Sequence, residues 1–182
     1  MYQEQKFELS NVLELSEKQI SEHVKLYSGY VKQTNDLVAS GIELTRRLAF
    51  EFNGMRLHEL YFEALSAKPI SPDQNSELGK SIAAKFTSFD NWLAEFKKTA
   101  ATRGPGWALL VHDTKNDTIH NVWISNHEVG HLAGTDIILA VDLWEHAYLV
   151  DYLPSERTKY LEVVLQCQDW NGIENRYDRK KR

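Results

Sequence analysis

Ile137-Ile138-Leu139-Ala140-Val141-Asp142-Leu143-Trp144-Glu145-His146-Ala147-Tyr148 is the stretch on which the reading of this chain turns. Its first five residues are an apolar run of strand length, which predicts a buried strand. Behind it, a carboxylate and an imidazole stand four positions apart, at Asp142 and His146. On a helix the two share a side, and a tight turn also brings them together. Both offer compact oxygen or nitrogen donors near neutral pH, a common pairing for first-row metals. Trp144 between them supplies a dry wall. An Asp and a His at this spacing carry little weight alone, so the ligand set has to be completed elsewhere.

Working back from that strand, residues 107–112 and 119–125 have strand composition and flank a polar turn at residues 113–117. The segments before them are helical. Ser16 is an N-cap for a helix over residues 16–35, in which Ile20, His23, Val24, Tyr27, Tyr30 and Val31 recur at three- and four-residue steps. Residues 35–67 carry Leu44, Leu48, Phe52, Leu57, Leu60, Tyr61 and Leu65 at helical spacing. Gly54 interrupts that second helix, and a glycine there costs about 1 kcal/mol against alanine, so a kink or a close approach is expected. Pro69 to Pro72 then breaks the chain into residues 1–70 and 71–182. Two further helices are expected over residues 76–85 and 91–103, the second opened by Ser88-Phe89-Asp90 and closed by Gly104-Pro105-Gly106. Past the third strand, residues 143–152 and 155–168 read as helix again. Helices first and a small three-stranded sheet among helices later make an α+β class.

Composition narrows the function. Hydrophobic residues at 42% and aromatics at 11% of 182 residues describe a globular chain with one full core, or two lobes sharing one. A net charge of −5 argues against a general nucleic-acid binder, and the basic end Arg179-Lys180-Lys181-Arg182 reads as a solvated tail. No apolar run reaches membrane-spanning length, and the first residues lack the apolar core of a secretory signal. The single Cys167 fits a reducing compartment, and the expected location is cytoplasmic.

The histidines divide into groups. His23 and His58 lie among apolar and aromatic residues on the first two helices. His112 and His120 flank the hairpin turn and are expected to face solvent. His127-Glu128-Val129-Gly130-His131 matches H-E-x-x-H, which on a helix holds zinc and supplies a general base for peptide hydrolysis. Here a strand precedes it, Gly130 lies within it and Ala133-Gly134 breaks the chain after it, so a zinc peptidase built on His127, Glu128 and His131 is disfavoured.

Set out in order, His23, His58, Asp142 and His146 resemble the pattern of the iron/manganese superoxide dismutases. Residues 142–148 match the family signature D-x-W-E-H-A-Y at every fixed position. Leu57-His58-Glu59-Leu60-Tyr61-Phe62, Gly104-Pro105-Gly106-Trp107 and Trp170 with Arg176-Tyr177 are similar to further family segments. The resemblance covers nearly the whole chain. It implies an N-terminal helical hairpin followed by a mixed domain, with a three-stranded antiparallel sheet surrounded by helices. It also implies a superoxide dismutase with one Fe or Mn ion per subunit, held by His23, His58, Asp142 and His146 with solvent as a fifth ligand. Superoxide would be the substrate, and the partner a second copy of the chain, as a homodimer or a tetramer, with no nucleic acid and no membrane.

By the same resemblance Tyr30 is the gateway tyrosine and His127 the group that hydrogen-bonds bound solvent. Trp107 and Trp144 wall the pocket, and Glu145 reaches across the dimer interface. A histidine at position 127 resembles iron-using or cambialistic members, which favours iron. The spacing from His23 to Tyr30 is one residue shorter than in common members, which leaves Glu22 as an alternative ligand. Leu26 and Leu149 stand where the family pairs a histidine with a tyrosine, which implies a more apolar interface. Lys25 and Arg176 are expected to form a local funnel for the anion. A non-catalytic metal-binding homologue is the competing reading.

Overall fold

The computed structural model describes residues 1–12, 14–41 and 45–180, so Leu44 of the second-helix pattern and Lys181 and Arg182 of the basic end lie outside the described residues. Helix α1 spans Glu17–Ser40; the Ser16 hydroxyl caps it by accepting from the Gln19 N–H, and Gly41 ends it at φ 65°. Its buried stripe is Gln19, His23, Tyr27, Val31 and Thr34. Helix α2, Thr45–Ala64, packs along it as the second arm of a hairpin. The helical spacing placed the boundary between the two arms near residue 35; α1 in fact runs to Ser40 before the left-handed Gly41 stops it.

Extended residues before α1 strap the hairpin. Asn35 brackets the Tyr2 backbone through both its amide groups, at 2.7 and 2.9 Å, and the Gln5 N–H donates to the Tyr27 hydroxyl at 2.9 Å. Helices α3 (Glu77–Phe86) and α4 (Phe89–Ala100) follow, each capped by the serine before it, Ser76 and Ser88. The sheet is antiparallel in the order β2-β1-β3, from β1 (Trp107–Asp113), β2 (Thr118–Ile124) and β3 (Thr135–Asp142). Strand β1 lies in the middle and is buried along nearly its whole length, as a central strand covered on both faces should be. Its register sets Trp107 directly opposite Asp142. Gly106, at φ 128°, makes that start possible, because a Cβ there would meet the Ile124 carbonyl oxygen at 1.9 Å.

Two sequence expectations need correction after β3. Residues 143–152 do not form an α-helix; Glu145–Ala147 is one 3₁₀ turn, followed by further turns. The chain has to reverse there to close over α1, which a continuing helix would prevent. Helix α5 spans Arg157–Gln166, and α6, Trp170–Lys180, is an element the apolar spacing did not predict. Few residues of α6 are apolar, but Trp170, Ile173, Arg176 and Tyr177 are buried by α2, α3 and β3. No helix of the described residues is long and apolar enough to cross a membrane.

Candidate metal centre

Four backbone elements deliver four side chains to one point. His23 comes from the buried stripe of α1 and His58 from the facing side of α2. Asp142 is the last residue of β3, and His146 lies in the 3₁₀ turn beyond it. Asp142 Oδ2 lies 3.1 Å from His23 Nε2, 3.0 Å from His146 Nε2 and 3.5 Å from His58 Nε2. One ligand atom from each of the four residues lies within 4.8 Å of all the others. Glu22, the alternative to His23, is exposed on α1 and takes no part.

The turn that carries His146 is tied to α1 by Gln19, one helical turn before His23. Gln19 Nε2 donates to the His146 carbonyl at 2.7 Å, and its Oε1 accepts from the Val150 N–H at 3.0 Å. Sequence reasoning passed over Gln19; its signal was a polar residue on an otherwise buried stripe. Asp142 is held by the Trp144 N–H at Oδ1 (2.9 Å) and by the Tyr160 hydroxyl at its backbone carbonyl (2.9 Å).

The donors fit a cation. His58 donates from Nδ1 to the Gly54 carbonyl at 2.6 Å, which fixes its tautomer and leaves the Nε2 lone pair facing Asp142. That nitrogen is buried with no hydrogen-bond partner. Burial pushes the His23 and His58 rings down in pKa, toward the neutral form, with Asp142 opposing it at both. Burial alone would push the Asp142 carboxyl up, yet the charge and hydrogen bonds of His146 and then His23 hold it below the ordinary carboxylate range. The His58 lone pair, aimed at the negative charge of Asp142 with no hydrogen-bond partner, is a conflict that a cation among the four donors resolves. Three nitrogens and one oxygen suit a first-row metal.

One side of the cluster is closed by aromatic rings. Trp144 stacks on His146 with ring centres 5.8 Å apart and planes 16° apart, and Trp107 meets His58 edge-on at 5.0 Å. His127, fully buried, links the wall to the mouth: the Trp107 indole N–H reaches its Nδ1 at 3.0 Å, and its Nε2 lies 2.9 Å from the Tyr30 hydroxyl. Burial lowers the His127 pKa to about 4 and raises the Tyr30 phenol, with Asp142 and Glu51 adding to the latter. Phe50, 4.6 Å from the His127 ring, was also missed, although positions 50, 54 and 58 share one side of α2. Gly54 meets the expectation of a close approach, since a Cβ there would sit 2.8 Å from the Tyr30 ring and 3.1 Å from His127 Cδ2.

Other expected positions fall away from this cluster. His112 does not face solvent; it is 2% exposed, because Tyr177 of α6 covers it at a ring distance of 4.9 Å. His120 is half-buried beside Lys85. In the H-E-x-x-H segment, His131 contacts the His127 carbonyl at 2.7 Å, and Glu128 pairs with Arg46 at 3.1 Å, so the motif assembles no ligand set. Arg176 cannot steer an anion, being buried and engaged by the Ile138 carbonyl and Glu63. Glu145 and Lys25 are exposed, Leu26 is half-buried and Leu149 is 47% exposed.

Residues 74–176 match the iron/manganese superoxide dismutases, C-terminal domain. A manganese superoxide dismutase of Halobacterium salinarum is 40% identical over 127 residues, covering 69% of this chain and 62% of the relative. The iron superoxide dismutase of Tetrahymena pyriformis is 33% identical over 139 residues, covering 74% and 70%. That of Cupriavidus metallidurans is 32% identical over 179 residues, covering 90% and 88%. The matched stretch thus spans about three fifths of the Halobacterium salinarum relative's length and most of that from Cupriavidus metallidurans.

Proposed function

The chain belongs to the iron/manganese superoxide dismutases, and on that premise we propose that it converts superoxide to dioxygen and hydrogen peroxide. His23, His58, Asp142 and His146 hold one iron or manganese ion in this reading. The observation that carries it is the convergence of three imidazoles on the ionised, fully buried Asp142, with His58 Nε2 left unpartnered.

When bound, the ion supplies the one-electron couple that oxidises one superoxide and reduces the next. The chain does the rest. Trp107, Trp144 and Phe50 exclude water from the cluster, which strengthens every charge interaction inside it. Tyr30 and His127 form a hydrogen-bonded pair at the mouth, where protons are needed to complete the peroxide. The hydrogen bonds from His58 to Gly54 and from Trp144 to Asp142 orient the donors and tune their basicity. Our reading of His127 favours iron, while the relatives are named for either ion.

The test is reconstitution of the metal-free protein with iron, manganese or zinc in turn. Dismutation returning with iron or manganese and not with zinc supports the reading; a protein that binds iron and manganese without dismutation is the non-catalytic homologue instead. We further assign residues 1–70 and 71–182 to two lobes that share the cluster, and a homodimer contact to Glu145, Leu26 and Leu149. The exposed apolar side chains of Leu149, Val150 and Leu153 support that surface. Leu149→Ala is expected to weaken the dimer about tenfold by sedimentation equilibrium, the loss of one well-buried apolar contact; an unchanged dimer removes the assignment.

A further inference from the structure

Ser16-Glu17-Lys18-Gln19 has the form of a capping box, in which the side chain of the fourth residue returns to the N–H of the first. Half of that box is present: the Ser16 hydroxyl accepts from the Gln19 N–H at 3.0 Å. The other half is exchanged across the fold. The Ser16 N–H donates to Asp151 Oδ2 at 2.7 Å, and the Gln19 amide reaches instead to the turn that carries His146.

There it takes the place of a backbone hydrogen bond. The Leu149 N–H meets the Glu145 carbonyl at 2.9 Å and the Tyr152 N–H meets that of Tyr148 at 2.8 Å, both at the i, i+4 spacing of a helix. Between them, a helix would set the Val150 N–H on the His146 carbonyl. Gln19 occupies both groups: its Nε2 donates to that carbonyl at 2.7 Å, and its Oε1 accepts from that N–H at 3.0 Å. A carbonyl only accepts and a backbone N–H only donates, so the amide has one orientation that serves both. A carboxylate would set a second acceptor against the carbonyl, and an apolar side chain would serve neither group.

His146 is the ligand residue that most needs such support. Its side chain is 25% exposed, against 3% for His23 and 0% for His58 and Asp142, so packing holds it least. Gln19 and His23 stand four apart on the buried stripe of α1, so one helix face carries a donor and also anchors the backbone of another. The His23 and His146 rings lie 5.1 Å apart.

We propose that Gln19 is a positioning residue: its amide wedges residues 146–150 open and thereby sets His146 against His23. The purpose of the wedge rests on the metal-site reading above, while its geometry does not. Without the amide, the Val150 N–H closes on the His146 carbonyl, a helical turn forms, and His146 Nε2 leaves its place beside Asp142.

Gln19→Met tests this, because it keeps the length of the side chain and removes both hydrogen bonds. From the iron-loaded protein, release of metal to excess chelator is expected to quicken about tenfold or more, with a shift in the ligand-field absorption bands. The crystal structure of the variant is expected to show the Val150 N–H on the His146 carbonyl. Tyr152→Phe loses only the hydroxyl that ties the same turn to the Glu14 carbonyl, and is expected to match the wild type in rate and spectrum. Equal effects from the two variants would make Gln19 one brace among several and overturn the proposal, as would an unchanged rate and spectrum in Gln19→Met. Should Gln19→Met fail to fold, the crystal structure of the wild-type holoprotein decides: the amide between the two backbone groups supports the wedge, and a direct bond from Val150 to His146 removes it. Dismutation assayed on the same samples separates the two readings. Iron held without dismutation, with the Gln19→Met shift intact, keeps the wedge and sinks the dismutase reading.

Discussion

His112 at the sheet hairpin and the His23–His58–His146 group both set a buried imidazole on an aspartate, and only one of the two arrangements is a metal-site candidate. His112 Nε2 lies 2.9 Å from Asp117 Oδ1, as short as any contact in the cluster. Asp117, however, is 55% exposed, so water solvates its charge and the pair pins a turn. Asp142 is fully buried and shared by three rings, so its charge has no water to lean on. Burying an ionised carboxylate without a compensating cation is strongly unfavourable. Burial of the carboxylate, rather than the His–Asp distance, separates a cation site from a structural brace.

The largest expected effect breaks the comparison at its centre. Asp142→Ala should lower metal affinity by more than about 100-fold and abolish dismutation, measured as metal retained after dialysis and as activity. Retained metal would mean that the three imidazoles suffice. Gly54→Ala should come next, because the new methyl group collides with the Tyr30 ring and His127. Overpacking of that kind costs about 1–3 kcal/mol by denaturant unfolding, and turnover should fall with it while metal content stays.

Acid separates the buried rings from the ordinary carboxylates in the metal-free protein. Burial holds His127 at a pKa of about 4 in the folded chain against 6.5 for a free imidazole, and lowers His23 and His58 in the same direction. The unfolded chain therefore binds protons first, so stability is complete above pH 6.5 and drains away as pH falls toward 4. Unfolding midpoints flat across that window would contradict the buried, neutral rings. The smallest effect is at the hairpin: Asp117→Ala should cost less than about 1 kcal/mol and leave metal content unchanged.

Much of this was legible in the residues. The apolar run ending at Asp142 gave a strand, Ser16 gave a helix start, and the i, i+4 stripe on α1 placed His23 and Tyr27 on the buried side. What stayed hidden depends on contacts between distant segments. His112 is buried only because α6 returns over the hairpin, and α6 has too few apolar residues to declare itself. Residues 143–152 carry helical spacing, but Gln19 on α1 holds them as turns through the His146 carbonyl and the Val150 N–H. Gly54 was legible as an anomaly and not as a reason, since the side chains that need its space come from α1 and from the loop after β2.

The most direct test of the central claim is elemental analysis of protein produced without added metal, with superoxide dismutation measured on the same sample. About one iron or manganese ion per chain, with activity proportional to it, is the predicted result. Zinc in place of either ion, with no dismutation, would contradict it.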